Sequence, residues 1–151
     1  HDLEARLVIA FSRPFWPLFL HVLGAMTLFG ALLAAVITSW IAWRRPDVAI
    51  LRKATFWALV SGVPDYLVLR VAAQILYSDE KDAFGGHDPT WVGVGLGVSD
   101  PGVLVFLAAI GCAYWWLRSG KPLAGRIVAG LSTLYLVLLA VAWLAMSGKW
   151  G

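Results

Sequence analysis

Four apolar runs organise the chain. They cover Leu18 to Ile41, Ala54 to Tyr77, Gly102 to Leu117 and Ile127 to Met146, with short polar stretches between them. A helix crosses the hydrocarbon core with about 20 apolar residues, within a range of roughly 17–25, so the pattern predicts four transmembrane helices. The third run is the shortest and is extended back to Pro101. Ser99 or Asp100 is placed there to cap it, and Pro101 to occupy a first turn in which a missing N–H costs nothing. The expected helices are 18–41, 54–77, 101–117 and 127–146. They form one integral membrane domain over residues 1–151, an all-α, up-down four-helix bundle.

The segments outside the runs are patterned differently. Leu3, Leu7, Val8, Phe11 and Phe15 lie roughly on one helical face with charges between them, which predicts an interfacial amphipathic segment before the first crossing. Arg13-Pro14-Phe15-Trp16-Pro17 reads as a rigid aromatic hinge. The second loop, Ser78 to Asp100, begins with polar residues and turn signals at Gly85-Gly86 and Asp88-Pro89. Gly then alternates with apolar residues from Trp91 to Val98. That alternation is not a dinucleotide fingerprint, because no βαβ unit surrounds it. It predicts an extended or irregular stretch pressed onto the helix ends.

Composition agrees with a membrane chain. Of 151 residues, 60% are hydrophobic and 14% charged, against about a quarter charged in an ordinary soluble domain. Charge also fixes an expected orientation. The first loop carries Arg44, Arg45, Asp47, Arg52 and Lys53, and the third Arg118, Lys121 and Arg126. Short loops rich in Lys and Arg stay in the cytoplasm. The acidic second loop and both termini are then outside, in the plasma membrane. The nine Trp fall near the run ends and read as aromatic belts, among them Tyr114, Trp115 and Trp116 at the end of the third run. No cleavable signal peptide is expected, because the first apolar run is too long. Nothing resembles a nucleic-acid patch, and the single Cys112 excludes an intrachain disulfide and a multi-cysteine metal site.

Chemistry is sought among the polar groups inside the spans, which are expensive there and mark function by default. Asp65 lies near the middle of the second run, directly after Pro64. Proline frees the carbonyl of Val60, and burial favours the neutral form of a carboxyl. Tyr135, Thr27 and Ser61 are the expected hydrogen-bonding partners of Asp65. Asp65 and Arg70 are about 140° apart around one helix and do not pair within it. Arg70, Gln74 and Tyr77 share a face, and His21 enters from the same end on the first helix. His21, Arg70, Gln74 and Tyr77, with Asp65 and Tyr135 deeper, are therefore the expected ligand-binding set. They would border a polar cavity in the outer half. No catalytic set and no metal motif is visible, so a non-enzymatic carrier, ligand or lipid binder, or assembly partner is expected. Its partners would be the bilayer, a small anionic or lipid ligand, and a homo-oligomer or membrane complex. The alternative is a haem-binding redox protein, with His21 as axial ligand of haem b and Gly24 making room for the ring.

Several stretches resemble a family. His21-Val-Leu-Gly-Ala-Met-Thr-Leu-Phe-Gly30, Val63 to Gln74, Pro89 to Asp100 and Tyr135 to Met146 are similar to a bacterial, notably actinobacterial, family of small four-helix membrane proteins of unknown function. The resemblance implies the four-helix fold and no activity. The His-x-x-Gly pattern of the first helix is also similar to copper-resistance-type and protoporphyrinogen-oxidase-type membrane families. The latter would imply haem on His21, although further charged partners around that helix are missing here.

Overall fold

The computed structural model describes residues 15–45, 47, 49–80 and 90–148, with the side chains of residues 80, 91 and 99 excepted. Four helices account for almost all of them: α1 (Phe15–Arg44), α2 (Ala49–Glu80), α3 (Thr90–Ser119) and α4 (Pro122–Gly148). Each contains a stretch long and apolar enough to cross a membrane. The protein is an all-α, four-helix, multi-pass membrane protein. The amphipathic arm and the turns at Gly85-Gly86 and Asp88-Pro89 lie outside the described residues.

The helices form a square in which only neighbours pack, in the order α1, α2, α3, α4 and back to α1. The interior is built largely from small side chains. Ala35, Ala42, Ala109, Ala113, Ala124 and Ala129 are all buried, while many of the large apolar residues, such as Met26, Leu67, Leu104 and Trp143, face outward. This inversion follows from the solvent. Lipid tails are as apolar as Leu, so no hydrophobic force drives large side chains inward, and close backbone approach supplies the packing.

Two helix ends show how the chain turns. Gly120 follows α3 with a φ of 67°, the left-handed conformation that glycine adopts without steric cost. Its N–H donates to the Trp116 carbonyl at 2.8 Å, which closes α3 with a left-handed cap. Pro122 then opens α4, where its missing N–H is no loss.

Two expectations are corrected here. First, α3 begins at Thr90, so the Trp91–Val98 stretch is helical rather than irregular. Pro101 therefore lies inside the helix, and neither Ser99 nor Asp100 caps it. In a bilayer every backbone group must be satisfied, and a helix does this even for glycine. Gly95 also has a packing role. A Cβ there would sit on the Met146 methyl, so the glycine admits α4. Second, Trp116 is not part of a boundary belt. It is buried against Gly125, where an added Cβ would come within 2.7 Å of the indole.

Candidate functional site

The four seams of the bundle are made differently, and the difference decides where polar groups can act. The α1–α2 seam is the tightest. Gly24 faces the α2 backbone, and a Cβ on it would lie 3.0 Å from the Leu69 nitrogen and 3.1 Å from the Asp65 carbonyl oxygen. Further along, Thr55 donates to Thr38 Oγ1 at 2.8 Å and joins the same two helices. The α4–α1 seam carries a bond from Trp40 Nε1 to Thr133 Oγ1 at 3.1 Å.

The α3–α4 seam closes through glycines under large rings. A Cβ on Gly102 would stand 2.8 Å from the Tyr135 ring. Tyr135 stacks on Phe106 at 5.3 Å between centroids, and Phe106 contacts Tyr66 of α2 at 6.4 Å. The α2–α3 seam has the fewest close backbone approaches. Aromatic side chains span it, Tyr66 to Phe106 and Phe56 to Tyr114, together with one ion pair. That pair is Arg70 Nη2 to Asp100 Oδ1 at 2.8 Å.

The expected site residues divide between seams on either side of α2. His21 is half-buried, with its imidazole beside the Leu69 backbone of α2. Its Nδ1 is buried without a partner among the described residues. It therefore belongs to the α1–α2 seam. Arg70 reaches across to α3, Gln74 is exposed and Tyr77 half-buried. Asp65 is half-buried. Of the three hydroxyls expected to bond it, Thr27 donates to the Leu23 and Gly24 carbonyls of its own helix. Ser61 donates to Ala58, and the Tyr135 hydroxyl is buried with no hydrogen-bond partner among the described residues. Tyr135 is thus a packing element of the core whose polar tip is left over, joined in this by the buried Ser132 hydroxyl one turn away.

The space that Gly24 opens beside His21 is filled by the α2 backbone at Asp65 and Leu69, so the glycine serves helix packing. Among the described residues no group of three or more His, Cys, Asp or Glu side chains is placed to hold a metal ion.

Sequence reasoning missed the opposite end of the bundle, where the two basic loops meet. Arg44 lies over Trp40 and Trp43, and Arg126 over Trp43. A cleft of about 40 Å³ is lined there by Trp43, Arg52, Trp116 and Gly120 among others. The available signal was Trp43-Arg44 at the end of run one together with Arg126 at the start of run four, which reads equally well as an ordinary belt and a basic loop. Comparison of the chain with protein-family models, curated proteins and solved structures finds no match.

Proposed function

We propose that the protein is a non-enzymatic binder of an amphipathic anion, with the carboxylate or phosphate held at Arg70 and the apolar tail lying along the α2–α3 seam. The observation that carries this reading is the ion pair between Arg70 and Asp100 across the most open seam of the bundle. Asp100 is the more exposed of the two partners, so an incoming anion displaces a group that water receives readily. Leu67, Val71, Leu104 and Leu107 are exposed on the two helices concerned and offer an apolar surface for a tail. Phe106 and Tyr66 form the floor between them. A guanidinium holds a carboxylate or phosphate through two parallel N–H donors.

The acidic end of the bundle faces outward in this reading, as the basic loops imply. The site then opens to the outer leaflet. Introduced cysteines at the exposed positions Asp79 and Lys121, in a Cys112→Ala background, test the orientation. A thiol reagent that does not cross membranes labels position 79 alone in intact cells. Labelling of position 121 alone inverts the arrangement.

Binding is tested by native mass spectrometry with palmitate and phosphatidylglycerol as probes. Arg70→Gln is expected to lower retention by about tenfold, the scale of a charge-assisted hydrogen bond. Asp100→Asn should raise it by removing the carboxylate that competes with the incoming anion in this ion pair. Equal retention in all three proteins removes the proposal.

A further inference from the structure

The basic end carries an electrostatic excess that the described residues do not compensate. Seven Arg and Lys residues fall within 44–53 and 118–126, against the single carboxylate of Asp47. None of them makes an ion pair with a described residue. Two helix N-termini also lie at this end, those of α2 and α4, and neither has an acidic residue in its first turn. Arg52 occupies the first turn of α2 and Arg126 the second turn of α4. The positive pole of a helix normally attracts carboxylates there, so these two cations add to a field of their own sign.

The excess is focused on one ring. Arg44 at the end of α1 lies 5.9 Å from the Trp43 ring centroid, and Arg126 of α4 lies 5.0 Å from it. The two guanidiniums are therefore separated by no more than about the Debye length, roughly 10 Å at 0.1 M salt. Arg52 of α2 shares a cleft with Trp43 and Trp116. Its guanidinium sits where Gly120 has no side chain, because a Cβ on Gly120 would come within 2.7 Å of Arg52 Nη1. Three helices thus bring three guanidiniums around a single indole. Cation–π attraction holds Arg44 and Arg126 to the ring, and Arg52 reaches the same cleft, but none of this reduces the repulsion between the guanidiniums.

An anion between the guanidiniums removes that repulsion and uses their planar donor forks. We propose that Trp43, Arg44, Arg52 and Arg126 form a site for the phosphate of an anionic phospholipid in the leaflet at the basic end. The lipid source follows from position. Trp residues collect at headgroup level, and Trp40 and Trp43 end α1 there. Ile37 and Ile41 of α1 and Ile127 of α4 are exposed on the two helices that carry Trp43 and Arg126 and offer apolar surface for acyl chains. The cleft itself has the volume of a water or two, so the headgroup lies at its rim. This site is at the opposite end from Arg70 and does not depend on the reading proposed for Arg70.

The test is native mass spectrometry of the protein purified with phosphatidylglycerol or phosphatidylcholine, with inorganic phosphate as a competitor. Phosphatidylglycerol should be retained about tenfold more than phosphatidylcholine, the scale of a charge-assisted hydrogen bond. The double variant Arg44→Gln/Arg126→Gln should lose that preference. Arg118→Gln should keep it, because Arg118 lies over Tyr114 and not over Trp43. Millimolar phosphate should not displace the lipid. Equal retention of both lipids by the wild-type protein overturns the site without recourse to any variant. An Arg118→Gln loss as large as that of the double variant reduces it to bulk surface charge. Complete displacement by phosphate makes it a site for a soluble anion and rejects the lipid.

Discussion

One helix, α2, meets its two neighbours in opposite ways at the same level. Toward α1 it offers bare backbone, and Gly24 approaches within van der Waals distance of Asp65 and Leu69. Toward α3 it offers Tyr66 and Arg70, which meet Phe106 and Asp100 through the ends of long side chains. The first contact has no adjustable part. The second is made of rotatable side chains, one of them charged. A seam closed by backbone is fixed once the helices have docked, whereas a seam spanned by side chains can exchange one partner for another without moving a helix. The contrast explains why a ligand is sought beside Arg70 and not beside His21, although the two lie at similar depth.

The largest effect that would break this contrast is at Gly24. Gly24→Ala places a methyl against main-chain atoms that cannot rotate away. A loss of about 1–3 kcal/mol is expected, the usual range for overpacking. Gly24→Val should prevent stable assembly of α1 on α2. Unfolding in mixed detergent micelles measures both. A Gly24→Ala protein as stable as wild type would show that α1 and α2 separate freely, and the contrast would fail.

Tyr135 comes next. Its hydroxyl is buried without a partner among the described residues, while its ring packs on Phe106 and Gly102. Leaving such a group unsatisfied costs about 1–3 kcal/mol. Tyr135→Phe keeps the ring and removes the unmet hydroxyl, so it should raise stability, by up to about 1 kcal/mol once relaxation is allowed for. A clear loss of stability would show that the hydroxyl has found a partner, Asp65 being the one expected from the sequence.

These two residues also show what was legible beforehand. Length and apolarity mark a membrane span directly, so the number of helices and the core of each could be read from the runs. The start of α3 could not. Alternating Gly looks like a break in any local window, and its packing partner, Met146, lies on another helix. The candidate site was half legible for a related reason. Spacing along a run gives depth, and depth placed His21 near Arg70. It does not give the direction in which each side chain leaves the bundle, and direction puts them on different seams. Gly24 was picked out correctly as a residue that opens space, but what fills the space was visible only in three dimensions.

A smaller effect sharpens the reading of glycine. Gly30 is on α1 like Gly24, yet a Cβ on it would meet nothing within 4 Å. Gly30→Ala should therefore be neutral, or stabilising by less than about 1 kcal/mol through helix propensity. A loss comparable to that at Gly24 would mean that Gly30 also packs closely against something beyond the described residues, such as another copy of the chain or a different membrane protein.

The smallest expected effect on stability belongs to the ion pair, and its smallness is the point. Arg70 and Asp100 are both partly exposed, with side-chain exposures of 32% and 64%. Pairs of this kind contribute about 0–1 kcal/mol by double-mutant analysis. Arg70→Gln, Asp100→Asn and the double variant should then melt within a narrow interval of wild type, with a coupling energy below about 1 kcal/mol. The same variants should differ in ligand retention, in opposite directions for the two single changes. A strong contact would lock the seam and make Arg70 a structural clamp. A coupling energy above about 2 kcal/mol, at the level of pairs that are desolvated and fully hydrogen-bonded, would therefore assign Arg70 to the fold and leave the α2–α3 seam closed to any incoming anion.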